Sequence, residues 1–192
     1  MAGLIGAMGS GLFLVFIILL AILGAFIIMA IAYYNKFVVS KRNVENAKSS
    51  IEVYYQQRFD LIPNLVDVVK GYVKHEKEMF EKIAELRSEY AKTKDIKVGD
   101  ELDGKINSVL AIAENYPELK ASENFLELQK ALEKVENQLQ AARRFYNSEV
   151  TAYNTLCTTI PSNIFANMYG HKELELFKVE TAETRNNVNV KI

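Results

Sequence analysis

The sequence predicts an all-α protein in which an N-terminal transmembrane helix continues into an elongated antiparallel bundle of three to four helices. Three observations predict this fold class. The first 35 of the 192 residues carry no charged side chain, the remainder contains few Gly and Pro residues, and apolar residues there recur at spacings of three and four. Because each helix must bury its apolar stripe against another element, a bundle is the simplest arrangement of such a body.

The run from Leu12 to Ala32 is apolar, interrupted only by Gly24, and as a helix it would span roughly 30 Å, the thickness of a bilayer's hydrocarbon core. Tyr33 and Tyr34 follow it, where interfacial aromatic side chains are favoured. A cleavable signal peptide is one alternative, because Ala30-Ile31-Ala32 resembles a cleavage site, but such a peptide would carry a basic residue before its apolar run. A buried core helix is a weaker alternative, because the run has no polar stripe. We interpret the run as a retained membrane anchor.

Positive charge predicts the orientation of this anchor. Lys36, Lys41 and Arg42 lie just beyond it, whereas no basic side chain precedes it. Because basic residues favour the cytoplasmic side of a span, we expect an external N-terminus and a cytoplasmic body, with Tyr33, Tyr34 and Lys36 at the membrane interface. The predicted regions are a short extracytoplasmic N-terminus (1–11), a transmembrane helix (12–34), a cytoplasmic helical bundle (35–178) and a polar flexible tail (179–192).

The body begins without a helix-breaking residue. No Gly or Pro occurs between Ala25 and Pro63, so the anchor helix is expected to run directly into the bundle. Its packed face is predicted from the spacing of Val44, Ala47, Ile51 and Tyr54. Pro63 either kinks this helix or lies in the first turn of a second one, and the sequence leaves both alternatives open.

Further helices are predicted from periodicity and helix-breaking residues. One ends before a turn at Lys94–Asp100, and the next is closed by Pro117. A long helix then keeps a heptad rhythm from Phe125 to Leu156, and residues 161–177 are predicted to form a short amphipathic closing segment. Since a long seam also allows pairing between chains, we predict a homo-oligomer.

The body lacks the patterns of common catalytic sites. A net charge of −1 argues against a nucleic-acid partner, and the single cysteine excludes an internal disulfide. Neither His75 nor His171 has the Glu-x-x-His spacing of a metal site in a helical bundle. No phosphate-binding loop, dinucleotide fingerprint or nucleophile elbow occurs in the sequence. We therefore predict no enzymatic activity, no cofactor and no metal.

Polar residues nevertheless cluster beside the predicted helix seams. One interpretation is a polar site between helices, and the other, which we favour, is a network of hydrogen bonds and ion pairs that fixes helix register. If Asp60 reaches Arg143 or Arg144, their ion pair would clamp two helices together. The predicted members of the network are Arg58, Asp60, Asn64, Asn124, Glu136, Arg143, Arg144 and Asn147.

Three segments of the body resemble the hallmark segments of the LemA family, and the likeness covers roughly residues 30–177 in order. They are Arg58-Phe-Asp-Leu-Ile-Pro-Asn-Leu-Val66 with Lys70-Gly-Tyr72 and His75-Glu76, then the stretch from Ala113 to Gln129, and finally Glu136-Asn137, Ala142-Arg143-Arg144, Tyr146-Asn147, Tyr153-Asn154 and Pro161. The family's pattern often has a further aromatic residue after the glycine that corresponds to Gly170, where this chain has His171.

The resemblance implies a bacterial protein of the cytoplasmic (inner) membrane, with one membrane helix, a short external end and a helical body in the cytoplasm. No enzymatic activity is established for the family, and one relative acts in magnetosome membrane formation, which implies membrane shaping or scaffolding. We therefore expect a self-associating scaffold that organises the membrane or a protein assembly, with the lipid bilayer as its partner. A signalling or envelope-stress accessory that couples the membrane to a soluble protein partner is the alternative.

Overall fold

The structure of the protein, a computed structural model, describes residues 2–73 and 77–177, with side chains from residue 13 onward. These residues form helices and no strand, which confirms the predicted all-α class. The helices are α1 (Ala2–Asp60), α2 (Ile62–Lys70), α3 (Lys77–Thr93), α4 (Ile96–Ala113), α5 (Pro117–Lys120), α6 (Glu123–Thr158) and α7 (Ser162–Tyr169). The predicted flexible tail at 179–192 and the side chain of His75 lie outside the described residues.

Pro63 starts a second helix, which decides between the two alternatives left open by the sequence. α1 ends at Asp60, and α2 begins at Ile62 with Pro63 in its first turn. A proline is tolerated there because the first backbone N–H groups of a helix have no partner within it. The amide of Leu65 donates to the carbonyl of Leu61 at 3.1 Å, so the chain resumes helical bonding directly after the break.

The chain divides into two compact units, which the long helices α1 and α6 both enter. Unit 1 comprises residues 1–44 and 148–192, and unit 2 comprises residues 45–147. The region predicted as one bundle, 35–178, therefore contributes to both units. Each unit has its own group of buried side chains.

In unit 2, α1 buries every fourth residue: Ala47, Ile51, Tyr55 and Phe59 all lie in the core. The prediction that Tyr54 lies in the core is wrong, because Tyr54 is only half-buried while its neighbour Tyr55 is fully buried. A strict four-residue spacing follows one row along the helix surface, whereas the predicted seam alternated between three and four. The other buried apolar side chains of this unit that lie on α2, α3 and α4 are Ile62, Leu65, Val69, Phe80, Ile83, Leu86, Tyr90, Leu102, Ile106, Val109 and Ala113.

The predicted turn at Lys94–Asp100 is also wrong over most of its length. α3 ends at Thr93, Lys94 adopts a positive φ of 51°, and α4 begins two residues later. The carboxylate of Asp95 accepts a hydrogen bond from the amide of Lys97 at 2.9 Å, which caps the new helix. Gly99, which lies in the predicted turn, is therefore inside a helix, where its lack of a Cβ atom allows close packing against Tyr55 and Tyr90.

In unit 1, α7 and the segment after it fold back onto α1 and α6. Gly170 ends α7 with a left-handed φ of 73°, and the amide of His171 then donates to the carbonyl of Ala166 at 2.9 Å. The side chain of Asn154 fixes the following segment by donating to the carbonyl of Leu174 and accepting from its amide, both at 2.8 Å. Residues 171–177 are thus ordered against α6 without forming a helix.

Candidate functional site: paired buried charges and an aromatic cluster

Arg58, in the last turn of α1, is the central charge of unit 2. Its side chain is 2% exposed, and its guanidinium forms ion pairs with Asp103 on α4 and Glu136 on α6. Its Nη2 atom also donates to Oδ1 of Asn107 at 3.1 Å. A buried charge is tolerated only where such partners replace water, so this one residue joins three helices of the unit.

Asp103 has a buried carboxyl group with a raised pKa. It is 8% exposed, and burial raises its pKa to about 6, with the charge of Glu136 acting in the same direction and the guanidinium of Arg58 opposing both. The carboxyl group therefore titrates near neutral pH, as a general acid or base would. Its contact with a buried arginine, and not with an open cleft, identifies it as one half of a structural pair.

Tyr55, Asp100 and Arg143 form a second charged group in unit 2. Nη2 of Arg143 donates to Oδ1 of Asp100 at 2.7 Å and to the hydroxyl of Tyr55 at 2.5 Å. The same hydroxyl donates to Oδ1 of Asp100 at 2.5 Å. Burial, together with the hydrogen bond to Asp100, holds the pKa of Tyr55 far above its ordinary value, so the phenol stays protonated and remains a donor.

The ion pair between helices that was considered for Asp60 and Arg143 is formed instead by Asp100 and Arg143. Arg143 pairs with Asp100, whereas Asp60 accepts from Nε2 of Gln56 at 2.8 Å and lies 4.0 Å from Nη2 of Arg87. Asp60 sits at the exposed end of α1, so its ion pair is a surface contact.

The other predicted network residues divide by exposure. Glu136 is part of the Arg58 group, and its Oε1 also accepts from Gln140 at 2.9 Å. Asn64 and Asn124 are exposed and line the same surface groove between α2 and α6. Arg144 is exposed and Asn147 half-buried. The structure thus brings Arg58, Glu136 and Arg143 into polar groups between helices, the first buried and the second containing the exposed Asp100, and leaves Asp60, Asn64, Asn124 and Arg144 at the surface.

Four residues of these groups were missed from the sequence: Tyr55, Asp100, Asp103 and Asn107. A usable signal was present on α4, where the last three recur at spacings of three and four beside the apolar stripe. Acidic and amide side chains placed at that spacing beside buried positions indicate a partner on another helix. Asp100 lies in the segment that the sequence predicts as a turn, and that prediction conceals the pattern.

Unit 1 contains an aromatic cluster at the body end of the apolar run. The ring of Phe165 on α7 lies 5.6 Å from that of Phe26 and stacks on that of Tyr33 at 5.0 Å, between ring centres. The ring of Tyr169 lies edge-on to Tyr34 at 5.3 Å, and its hydroxyl donates to the carbonyl of Ala30 at 2.9 Å. Both tyrosines predicted at the membrane interface therefore contact α7, while Lys36 is exposed.

His171 takes the place that the family pattern gives to an aromatic residue. Its ring stacks on Phe37 at 4.5 Å with an angle of 13° between the planes, and it meets Tyr153 edge-on. Its Nδ1 lies 2.9 Å from the hydroxyl of Tyr153. Imidazole therefore packs as an aromatic ring here and adds one hydrogen bond.

The apolar run on α1 is not covered by the described part of the chain. Every side chain from Phe13 to Leu23 is exposed, including Phe13 at 65% and Ile22 at 61%. α1 is the helix, among those described, that is long and apolar enough to cross a membrane. So much uncovered apolar area is unfavourable in water and is matched by the interior of a bilayer.

These features define a class of protein: a helical protein with an N-terminal helix suited to a membrane, whose buried charges hold helices together. Among the described residues, no group of three or more His, Cys, Asp or Glu side chains is placed to hold a metal ion. The chain belongs to the LemA family, whose model matches residues 47–192.

Its relatives fit this assignment. The chain is 26% identical to Protein LemA of Metamycoplasma hominis, over 91% of this chain and 84% of that protein. It is 24% identical to Magnetosome protein MamQ 2 of Paramagnetospirillum magneticum and to Magnetosome protein MamQ of Magnetospirillum gryphiswaldense, in each case over 82% of this chain and 69% of the relative. None of these names specifies an enzymatic activity.

Proposed function

We propose that this protein is a membrane-anchored helical scaffold that associates with itself and organises the membrane or a protein assembly at the cytoplasmic face. The observation that carries the proposal is the uncovered apolar surface of α1 from Phe13 to Leu23. A bilayer removes that surface from water, while the rest of α1 supplies core residues such as Ile51 and Tyr55 to a helical body. One helix thereby serves both as an anchor and as part of the bundle.

The pairing of buried charges favours a scaffold over an enzyme. Arg58 and Arg143 each form ion pairs with carboxylates on other helices, and these ion pairs fix the register of the helices. An enzyme would instead direct some of these groups towards a cleft that a substrate can enter. The two relatives named as magnetosome proteins also favour a role in a subcellular assembly.

Self-association is supported by apolar side chains left at the surface of unit 2. Phe145 on α6 is 54% exposed and Val53 on α1 is 53% exposed. Large exposed apolar side chains of this kind are the anchors that protein interfaces bury. A second copy of the chain is the partner that is always present at the same membrane.

Reconstitution of the full-length protein tests self-association. Fluorescently labelled protein is placed in vesicles at falling protein-to-lipid ratios, and the copies in each assembly are counted by stepwise photobleaching. We expect stable assemblies of wild type, fewer copies for Phe145→Ser, and no change for Tyr72→Ser, which alters an exposed aromatic residue elsewhere in the unit. Wild-type monomers at every ratio would overturn the scaffold, and capture of one stoichiometric soluble protein by such monomers would favour the accessory role.

The orientation rests on Lys36, Lys41 and Arg42, which follow the apolar run. It is tested in a Cys157→Ser background, with a cysteine introduced either at exposed Ser88 or at Ser10, which precedes the run. A membrane-impermeant maleimide should label the Ser10→Cys protein in intact spheroplasts and the Ser88→Cys protein after lysis. The reverse pattern would place the body outside the cytoplasm.

A further inference from the structure

A second uncharged stretch lies near the C-terminus. No Asp, Glu, Lys or Arg occurs from Val150 to His171, a stretch of 22 residues, although 24% of all residues in the chain are charged. The stretch contains the end of α6, the turn after it and the whole of α7. Surface helices of water-soluble bodies normally carry charged residues on their outer faces, so the composition of this stretch requires another explanation.

α7 packs beside the part of α1 that enters the bilayer. Phe165 contacts Phe26, and the hydroxyl of Tyr169 donates to the carbonyl of Ala30. Phe26 lies six residues before Ala32, which places its backbone about 9 Å inside the body end of the apolar run. Since both contacts are within unit 1, α7 lies alongside the final turns of that run.

The face of α7 that points away from these contacts is apolar and uncovered. On α7, Ile164 is 56% exposed and Met168 is 53% exposed, whereas Phe165 is 1% exposed; Ile160, in the turn before the helix, is 78% exposed. Ile164 and Met168 lie one turn apart on one face of α7, and together with Ile160 in the turn before the helix they make up an exposed apolar stripe.

We propose that the turn after α6 and the helix α7 insert into the interfacial layer of the bilayer, so that Ile160, Ile164 and Met168 contact lipid. The protein would then hold the membrane by two elements: the α1 span and a shallow hairpin on its body side. Phe165 on the same helix contacts Phe26 in the apolar run, so a bilayer that surrounds Phe26 necessarily reaches α7. The absence of charge in the stretch removes the main cost of such insertion.

A hairpin inserted at one depth occupies area in a single leaflet. It would displace headgroups on the body side and leave the opposite leaflet unchanged, which favours curvature of the membrane. The inference rests on the membrane anchor of the proposed function and extends it from simple attachment to deformation of the bilayer.

The chain contains no tryptophan, so a single introduced indole reports on its own surroundings. Full-length Ile164→Trp and Met168→Trp proteins are reconstituted in phosphatidylcholine–phosphatidylglycerol vesicles that contain lipids brominated either high or low on the acyl chain. We expect blue-shifted emission that loses more intensity to the upper bromine position than to the lower one. Lys134→Trp, on an exposed face of α6, should show red-shifted emission that neither lipid quenches.

Ile22→Trp, in the apolar run, separates failure of this inference from failure of the anchor. Quenching at Ile22→Trp without quenching at Ile164→Trp and Met168→Trp would overturn the lipid contact of α7 alone. Blue-shifted but unquenched emission at the α7 positions would show that protein, such as a second copy, covers the stripe, and would overturn the inference equally. Absence of quenching at Ile22→Trp would overturn the anchor itself.

Discussion

The hydroxyl group of Tyr55 on α1 accepts a 2.5 Å hydrogen bond from Nη2 of Arg143 on α6. Asp100 on α4 accepts from both partners, so three helices of unit 2 meet at one phenol. The guanidinium carbon of Arg143 also lies 5.4 Å from the centre of the Tyr55 ring. The side chain of Tyr55 is fully buried, and its hydroxyl cannot exchange these partners for water without opening the core.

Tyr55→Phe is expected to lower the free energy of unfolding by roughly 1.5–3 kcal/mol, because it removes a buried hydroxyl bonded to two charged groups. The direct contact between Arg143 and Asp100 limits the loss. Urea unfolding of the full-length protein in detergent micelles, followed by circular dichroism, measures the change. The matched control is Tyr54→Phe at the neighbouring half-buried position, which should change stability by less than about 0.5 kcal/mol. Equal effects of the two substitutions would contradict the role given to the hydroxyl.

Arg58→Met is expected to cost roughly 3–5 kcal/mol, because it leaves the carboxylate of Asp103 buried without its counter-ion. Arg87→Met is the control, since Arg87 is 43% exposed and 4.0 Å from Asp60, and the loss of such a surface pair changes stability by about 0–1 kcal/mol. The same urea titration compares both variants with wild type. A loss below about 1 kcal/mol for Arg58→Met would mean that the buried pair does not hold the helices together.

The raised pKa of Asp103 predicts a dependence of stability on pH. In the folded chain this pKa is about 6, whereas an unfolded Asp titrates near 3.9. Between these values the folded state binds a proton that the unfolded state does not, so the free energy of unfolding contributed by this group falls as pH rises from about 4 to about 6. The full change is at most roughly 3 kcal/mol. Asp103→Asn removes the titratable group. Urea unfolding of the wild-type and Asp103→Asn proteins across this pH range should therefore give free energies of unfolding that diverge. Parallel dependences on pH would refute the raised pKa of Asp103.

The sequence predicted helical periodicity well where burial follows a regular stripe. On α4, Leu102, Ile106, Val109 and Ala113 recur at spacings of three and four, and all are buried. It failed at Tyr54, because the choice between adjacent aromatic residues depends on which row of α1 meets its neighbours. That choice is made by tertiary packing and leaves no trace in local spacing.

The sequence predicted the members of the candidate site on α1 and α6 that carry formal charges, but not their partners on α4. Arg58, Glu136 and Arg143 were expected to form interhelical polar contacts, and each does. The spacing of their partners on α4 indicates contacts with another helix, but it does not identify Arg58 as the partner of Asp103, which is 45 residues away in the chain. The Gly-Asp pair at 99–100 was assigned to a turn, whereas the cap at Asp95 and the contact with Tyr55 place it in a helix.

Gly99 and Gly104 provide a matched pair of glycines within α4. A Cβ at Gly99 would lie 3.1 Å from Cζ of Tyr55 and 3.2 Å from Cε2 of Tyr90, whereas a Cβ at Gly104 would meet nothing within 4 Å. Alanine is the better helix former by roughly 0.5–1 kcal/mol, so Gly104→Ala should raise the free energy of unfolding by about that amount. Gly99→Ala gains the same preference but forces apart two buried rings, one of them fixed by Asp100 and Arg143, and should lower it by roughly 1–3 kcal/mol. Urea unfolding of both variants should therefore give shifts of opposite sign. If both alanines stabilise the protein, the close approach of α4 to Tyr55 does not exist in solution.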